Sequence, residues 1–83
     1  MTEIQRTDPR TGSVLILSSE GLTVVRPDGG RGFIAAPRGY SLSYFEGGIN
    51  VVARGEAPHD GWWDWHFEPD LDAGAFRRLG PAY

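Results

Sequence analysis

The stretch GWWDWHFEPD, Gly61 to Asp70, holds all three tryptophans of the chain, one of its two histidines and three carboxylates. Read as an extended strand, it points successive side chains to opposite faces. Trp63, Trp65 and Phe67 then line one face, three large rings with no charge among them, which is what a core requires. Trp62, Asp64, His66 and Glu68 line the other face, aromatic and ionisable together. One face of this strand is expected to build the core, and any site is expected on the other.

Working outward, short apolar segments alternate with turn chemistry. The segments are SVLILS (13–18), LTVVR (22–26), GFIAA (32–36), YSLSYF (40–45), INVVAR (49–54), WWDWHFE (62–68) and AFRRL (75–79). SSEG, PDGG, PRG, EGG, GEAPHDG and PDLDAG connect them. Gly supplies positive φ, Pro presets the first turn position, and Asp or Asn bonds its own backbone. Several short β-rich runs at this rhythm predict an all-β fold, a small antiparallel meander of 6–7 strands curling into a barrel or a strongly twisted sheet. Helix is a poor competitor over 13–68, because no segment reaches the length a helix needs and Gly recurs throughout. In the tail, a strand is favoured over a short C-terminal helix capped at Asp70 or Asp72, since Gly74 would sit inside that helix.

The same alternation assigns other faces. Tyr40, Leu42 and Tyr44 are expected inward, with Ser41 and Ser43 on the wet side. Ile49, Val51 and Ala53 share a face, as do Leu22 and Val24, while SVLILS is apolar on both sides, as a strand covered on both faces would be. Residues 1–12, polar and carrying Pro9 and Gly12, read as a flexible N-terminal arm ahead of a single β domain over 13–83. SSEGLTVVR (18–26) and YFEGGINVVAR (44–54) share an E-G turn and an apolar-polar-Val-Val strand ending in Arg; duplication is one reading, and chance similarity between hairpins built from the same few residues is the favoured one.

The composition narrows function chiefly by exclusion. Eighty-three residues carry a formal charge of −3, no cysteine, and eight cations that are all Arg. Without Cys, neither a disulfide nor a thiolate metal site can staple the chain. An acidic domain with scattered Arg lacks the basic stripe that binds phosphate backbones, so nucleic acid is not an expected partner. The longest apolar run, VLIL at 14–17, is far too short to span a bilayer, and the expectation is a soluble cytoplasmic protein with no membrane partner.

Asp64, His66 and Glu68 stand two residues apart on one strand face, ~6.5–7 Å between neighbouring Cα atoms. Such a nitrogen and oxygen set suits first-row metals, yet a further ligand would have to come from elsewhere, and the favoured reading is a solvated face with no metal and no cofactor. Glu68, Asp70 and Asp72 imitate the start of a calcium loop, but the sharp-turn Gly would fall at Ala73 and the closing acid at Leu79. With no Cys, no G-x-S-x-G turn and no phosphate-binding loop, no catalytic residue is assigned. The chain is expected to be no enzyme but a protein-interaction module of the inhibitor or immunity type, where a small acidic domain covers a basic surface. Trp62, Asp64, His66 and Glu68 are its binding residues, because exposed Trp beside Arg and acids is typical of interface anchors. A small-molecule or carbohydrate-binding β domain and a self-associating structural protein, a homodimer included, are the alternatives.

Overall fold

The computed structural model describes residues 3–82, and among them the only regular elements are strands. β1 (Ile4–Thr7), β2 (Val14–Ser18), β3 (Gly21–Val25) and β4 (Arg31–Ala35) form one antiparallel sheet in chain order. β5 (Tyr40–Gly47), β6 (Asn50–His59), β7 (Trp62–Asp70) and β8 (Ala75–Pro81) form a second. The all-β prediction holds, with two corrections. The described residues form eight strands rather than 6–7, and these divide into two sheets and close no barrel; residues 75–81 take the favoured strand, and the alternative C-terminal helix does not form. The tail is drawn into β8 by pairing with β7, Asp70 to Ala75 through Trp65 to Pro81, which gives its backbone long-range partners that a helix would forgo. Ile4–Thr7, inside the stretch read as an arm, pairs residue for residue with β2.

The inner faces of the two sheets meet in one core. The first sheet supplies Leu15, Leu17, Leu22, Val24 and Ile34, and the second supplies Leu42, Phe45, Val51, Ala53, Trp65 and Phe67. Leu15, Leu17 and Leu22 are at most 2% exposed. The outer flank of β2 is only half covered at Val14 and Ile16, so this strand is buried on one side, not on both. The two sheets are also joined through the backbone: Leu42 N–H donates to the Ser19 carbonyl at 3.0 Å, where the first strand of one sheet meets the β2–β3 turn of the other.

Simple alternation is broken by bulges, and each one moves a side chain to the other face. Leu42 pairs with Ala53 and Tyr44 with Val52, which leaves Ser43 as an extra residue. The phase of β5 therefore flips after Leu42: Phe45 enters the core and Tyr44, expected inside, is 47% exposed. The predicted GEAPHDG loop is mostly strand. His59 pairs with Trp62 around a two-residue Asp60-Gly61 turn, in which both residues have positive φ (49° and 84°), the geometry that matches strand twist in a tight hairpin. Between that pair and Arg54–Asp64, Gly55 to Pro58 bulge out opposite Trp63 alone.

An 83-residue chain has about 4–12 kcal/mol of stability in total. Phe67→Ala, at a ring 3% exposed, should remove about 3–5 kcal/mol of it. Tyr44→Ala should cost under about 1 kcal/mol because the bulge has turned that ring outward. Urea unfolding followed by circular dichroism measures both, and the reverse ranking would mean that β5 keeps its phase.

Candidate functional site

β7 carries the predicted binding residues on one face, as strand geometry dictates. Trp65, Phe67 and Pro69 are buried on its inner side, while Asp64, His66 and Glu68 are half-buried and Trp62 is 39% exposed. Trp63 departs from the expected pattern: it is 46% exposed and adds nothing to the core. At ~3.3 Å per residue, the ten residues of β6 and nine of β7 outrun the five-residue strands of the facing sheet. Trp63 lies where that overhang meets the bulge of β6.

Strand register brings further side chains to the outer face that the sequence did not single out. His66 lies opposite Val52, which lies opposite Tyr44, so the three form one row across β7, β6 and β5. Val52 is only 3% exposed, set between the larger Tyr44 and His66. One row along, Arg54 faces Asp64, their charged atoms 3.7 Å apart, and the Arg54 guanidinium lies 5.7 Å from the Trp63 ring centre. Arg77 of β8 hydrogen-bonds Glu68. Both carboxylates flanking His66 along β7 thus pair with arginines of neighbouring strands. Among the described residues no group of three or more His, Asp or Glu side chains is placed to hold a metal ion.

The rim of this face is rigidly built. The Trp62 indole N–H donates to the Ala82 carbonyl at 2.6 Å, and Ala82 N–H donates to the Asp64 carbonyl at 2.8 Å, so Ala82 is bound to β7. Beneath it, the Trp65 indole N–H is shared between the carbonyls of His59 (3.2 Å) and Trp62 (3.1 Å). Arg78 lies 4.2 Å above the Trp65 ring and donates to Asp60 at 2.6 Å. The bond to Asp60, and secondarily the nearby Tyr40 hydroxyl, which makes no well-aligned hydrogen bond of its own, raise the guanidinium pKa above its ordinary value. Tyr40 also stacks on His59, ring centres 4.4 Å apart. His59 and Asp60, which lie in the GEAPHDG segment expected as a connector, therefore join Tyr40 and Arg78 in a polar aromatic cluster. The signal was present in sequence only as an Asp-Gly turn; the arginine comes from β8, eighteen residues away.

Concave space lies elsewhere. Two open clefts of about 730 and 560 Å³ flank the contact of the β1–β2 loop with the β7–β8 turn, the larger bordered by the β3–β4 turn and the smaller by the β5–β6 turn, and they share Thr11, Leu71 and Asp72. Of the predicted residues only Glu68 reaches either one. Asp8, 2% exposed beside them, accepts one hydrogen bond on each carboxylate oxygen, from Arg10 N–H and from the Thr11 hydroxyl.

These contacts predict an order of hydrogen exchange for the three indole N–H groups. Trp65, buried and shared between two carbonyls, should exchange slowest; Trp62, bonded at the rim, should be intermediate; Trp63, which donates to nothing among the described residues, should be fastest. Exchange of the indole resonances followed by NMR reads this directly. Equal rates for Trp65 and Trp63 would contradict the geometry.

Among the described residues no helix is long and apolar enough to cross a membrane. Comparison with known proteins found no matching family model, no matching curated protein and no matching solved structure.

Proposed function

We propose that the chain is a non-catalytic protein-binding module, of the inhibitor or immunity type, that engages its partner through the outer face of the β5–β8 sheet. The observation that carries this reading is the exposure of Tyr44 (47%) and Trp62 (39%) on the same sheet face, with His66, Asp64 and Arg54 between them. Trp, Tyr and Arg are the residue types that dominate binding energy at protein interfaces, and rigid rings lose little entropy when covered. Here Trp62 is already fixed by its bond to Ala82, which lowers the ordering cost of docking.

The shape of the surface favours a protein over a small molecule or a sugar. Small ligands take concave pockets that enclose most of their surface, whereas this face is a sheet and the clefts lie among the loops around Leu71. Asp64 and Glu68 already pair with arginines of the same chain, so they act as rim groups that orient a partner more than as its anchors.

The test is to capture a binding protein on the immobilised chain, identify it, and measure its affinity for variants by calorimetry. Trp62→Ala and Tyr44→Ala should each weaken binding by at least about tenfold, with unchanged circular dichroism. Arg10→Ala, among the clefts, should leave affinity intact. Loss of binding with Arg10→Ala, or affinities unmoved by both ring substitutions, would sink the reading.

A further inference from the structure

β4 is an edge strand, and its free side is unguarded. The β3–β4 ladder is bracketed by Arg26 N–H to the Gly30 carbonyl at 2.7 Å and Ala36 N–H to the Glu20 carbonyl at 2.9 Å. In an antiparallel ladder, bonded and non-bonded pairs alternate. With this register, Val24–Gly32 and Leu22–Ile34 exchange the bonds, and the N–H and C=O groups of Arg31, Phe33 and Ala35 point away from β3. No backbone hydrogen bond among the described residues meets them on that side. β8 approaches β4 without pairing to it, and the larger cleft is bordered by Gly32, Phe33 and Ile34 on one side and by the 71–74 turn on the other. The Phe33 ring leans over Gly21 of β3, where a Cβ would collide with it, and so does not cover the open backbone.

The other three edges carry the features that prevent strand-to-strand association. β1 has an inward-pointing charge, Arg6, which lies 4.9 Å from the Phe45 ring centre and donates to the Gly48 carbonyl. β5 is interrupted by extra residues at Ser43 and Glu46, and its Leu42 N–H is already engaged by Ser19. β8 has an extra residue at Leu79, arginines at 77 and 78, and Pro81. β4 keeps unbroken register with β3, contains no Pro and no acid, and places its one charge, Arg31, at its first position.

We propose that two copies of this chain associate through β4, pairing antiparallel about a two-fold axis at Phe33 so that the two β1–β4 sheets become one continuous sheet. The edge is self-complementary in this register. Phe33 falls opposite its own counterpart, and Arg31 falls opposite Ala35 of the second copy. All three outward-facing residues of each strand then exchange hydrogen bonds. The two Arg31 side chains end up offset by about 13 Å along the strands, so like charges do not face each other. In a chain of net charge −3, an acid-free edge is also where two copies repel least. This surface is separate from the partner-binding face on the other sheet, and the two proposals stand independently.

An edge of five residues is much smaller than the ~800 Å² per partner of a stable interface, so the dimer should dissociate on dilution. Sedimentation of the full chain from micromolar toward millimolar concentration should show a monomer–dimer equilibrium. Ala35→Pro removes an outward N–H while sparing the ladder to β3, and should weaken dimerisation at least about tenfold. Phe33→Lys, which sets two cations directly opposite each other, should do the same and guards against a folding defect in the proline variant. Circular dichroism and melting temperature establish that each variant is folded. A wild-type chain that stays monomeric throughout, or a dimer indifferent to Phe33→Lys, overturns the proposal; the first result would leave the edge to a foreign strand.

Discussion

The second sheet depends on the burial of Trp65 and Phe67 between the two layers. These rings belong to the core that both sheets build, and their neighbours are set by them: Tyr40 meets Phe67 edge-on with ring centres 5.0 Å apart, Phe76 meets it from β8 at 6.5 Å, and Arg78 closes over Trp65. The Trp65 indole also brings a polar atom into a region where an unmet donor would be costly. Its bonds to the His59 and Trp62 carbonyls meet that need and hold the tip of the β6–β7 hairpin against the core. A single side chain thus links the hydrophobic interior to the backbone that presents Trp62.

Bulges decide what the molecule shows to its surroundings. In a sheet with a period of two, one extra residue exchanges the inner and outer sets for the rest of the strand. Ser43 does this in β5 and delivers Tyr44 to the row that contains His66. Leu79 does it in β8, where Arg78 lies across from Phe67 and Arg77 across from Glu68. The proposed recognition face is therefore assembled from residues whose orientation depends on pairing with another strand.

The apparent repeat of SSEGLTVVR and YFEGGINVVAR has a plain explanation in the topology. LTVVR enters β3, the third strand of its sheet, whereas INVVAR enters β6, the second strand of the other. The two segments hold different positions, as expected when central strands draw on the same β-branched residues.

Alternation is a local property, and its direct consequences were legible in the chain: strands along 13–68, Leu22, Val24, Leu42, Val51, Ala53, Trp65 and Phe67 facing inward, and Asp64, His66 and Glu68 facing out on β7 with Trp62. Every departure required a partner distant in sequence. Tyr44 and Phe45 exchanged faces because β6 is one residue shorter across from them, and Trp63 stayed bare because the facing sheet ends before reaching it. Ile4–Thr7 became a strand because β2 had an open edge, and the strands form two sheets because β5 pairs with β6 and not with β4. Residue order specifies which side chains alternate; only the packed fold specifies where strands gain an extra residue, which edge stays open and which arginine covers which ring, since those depend on hydrogen bonds and contacts between segments far apart in the chain.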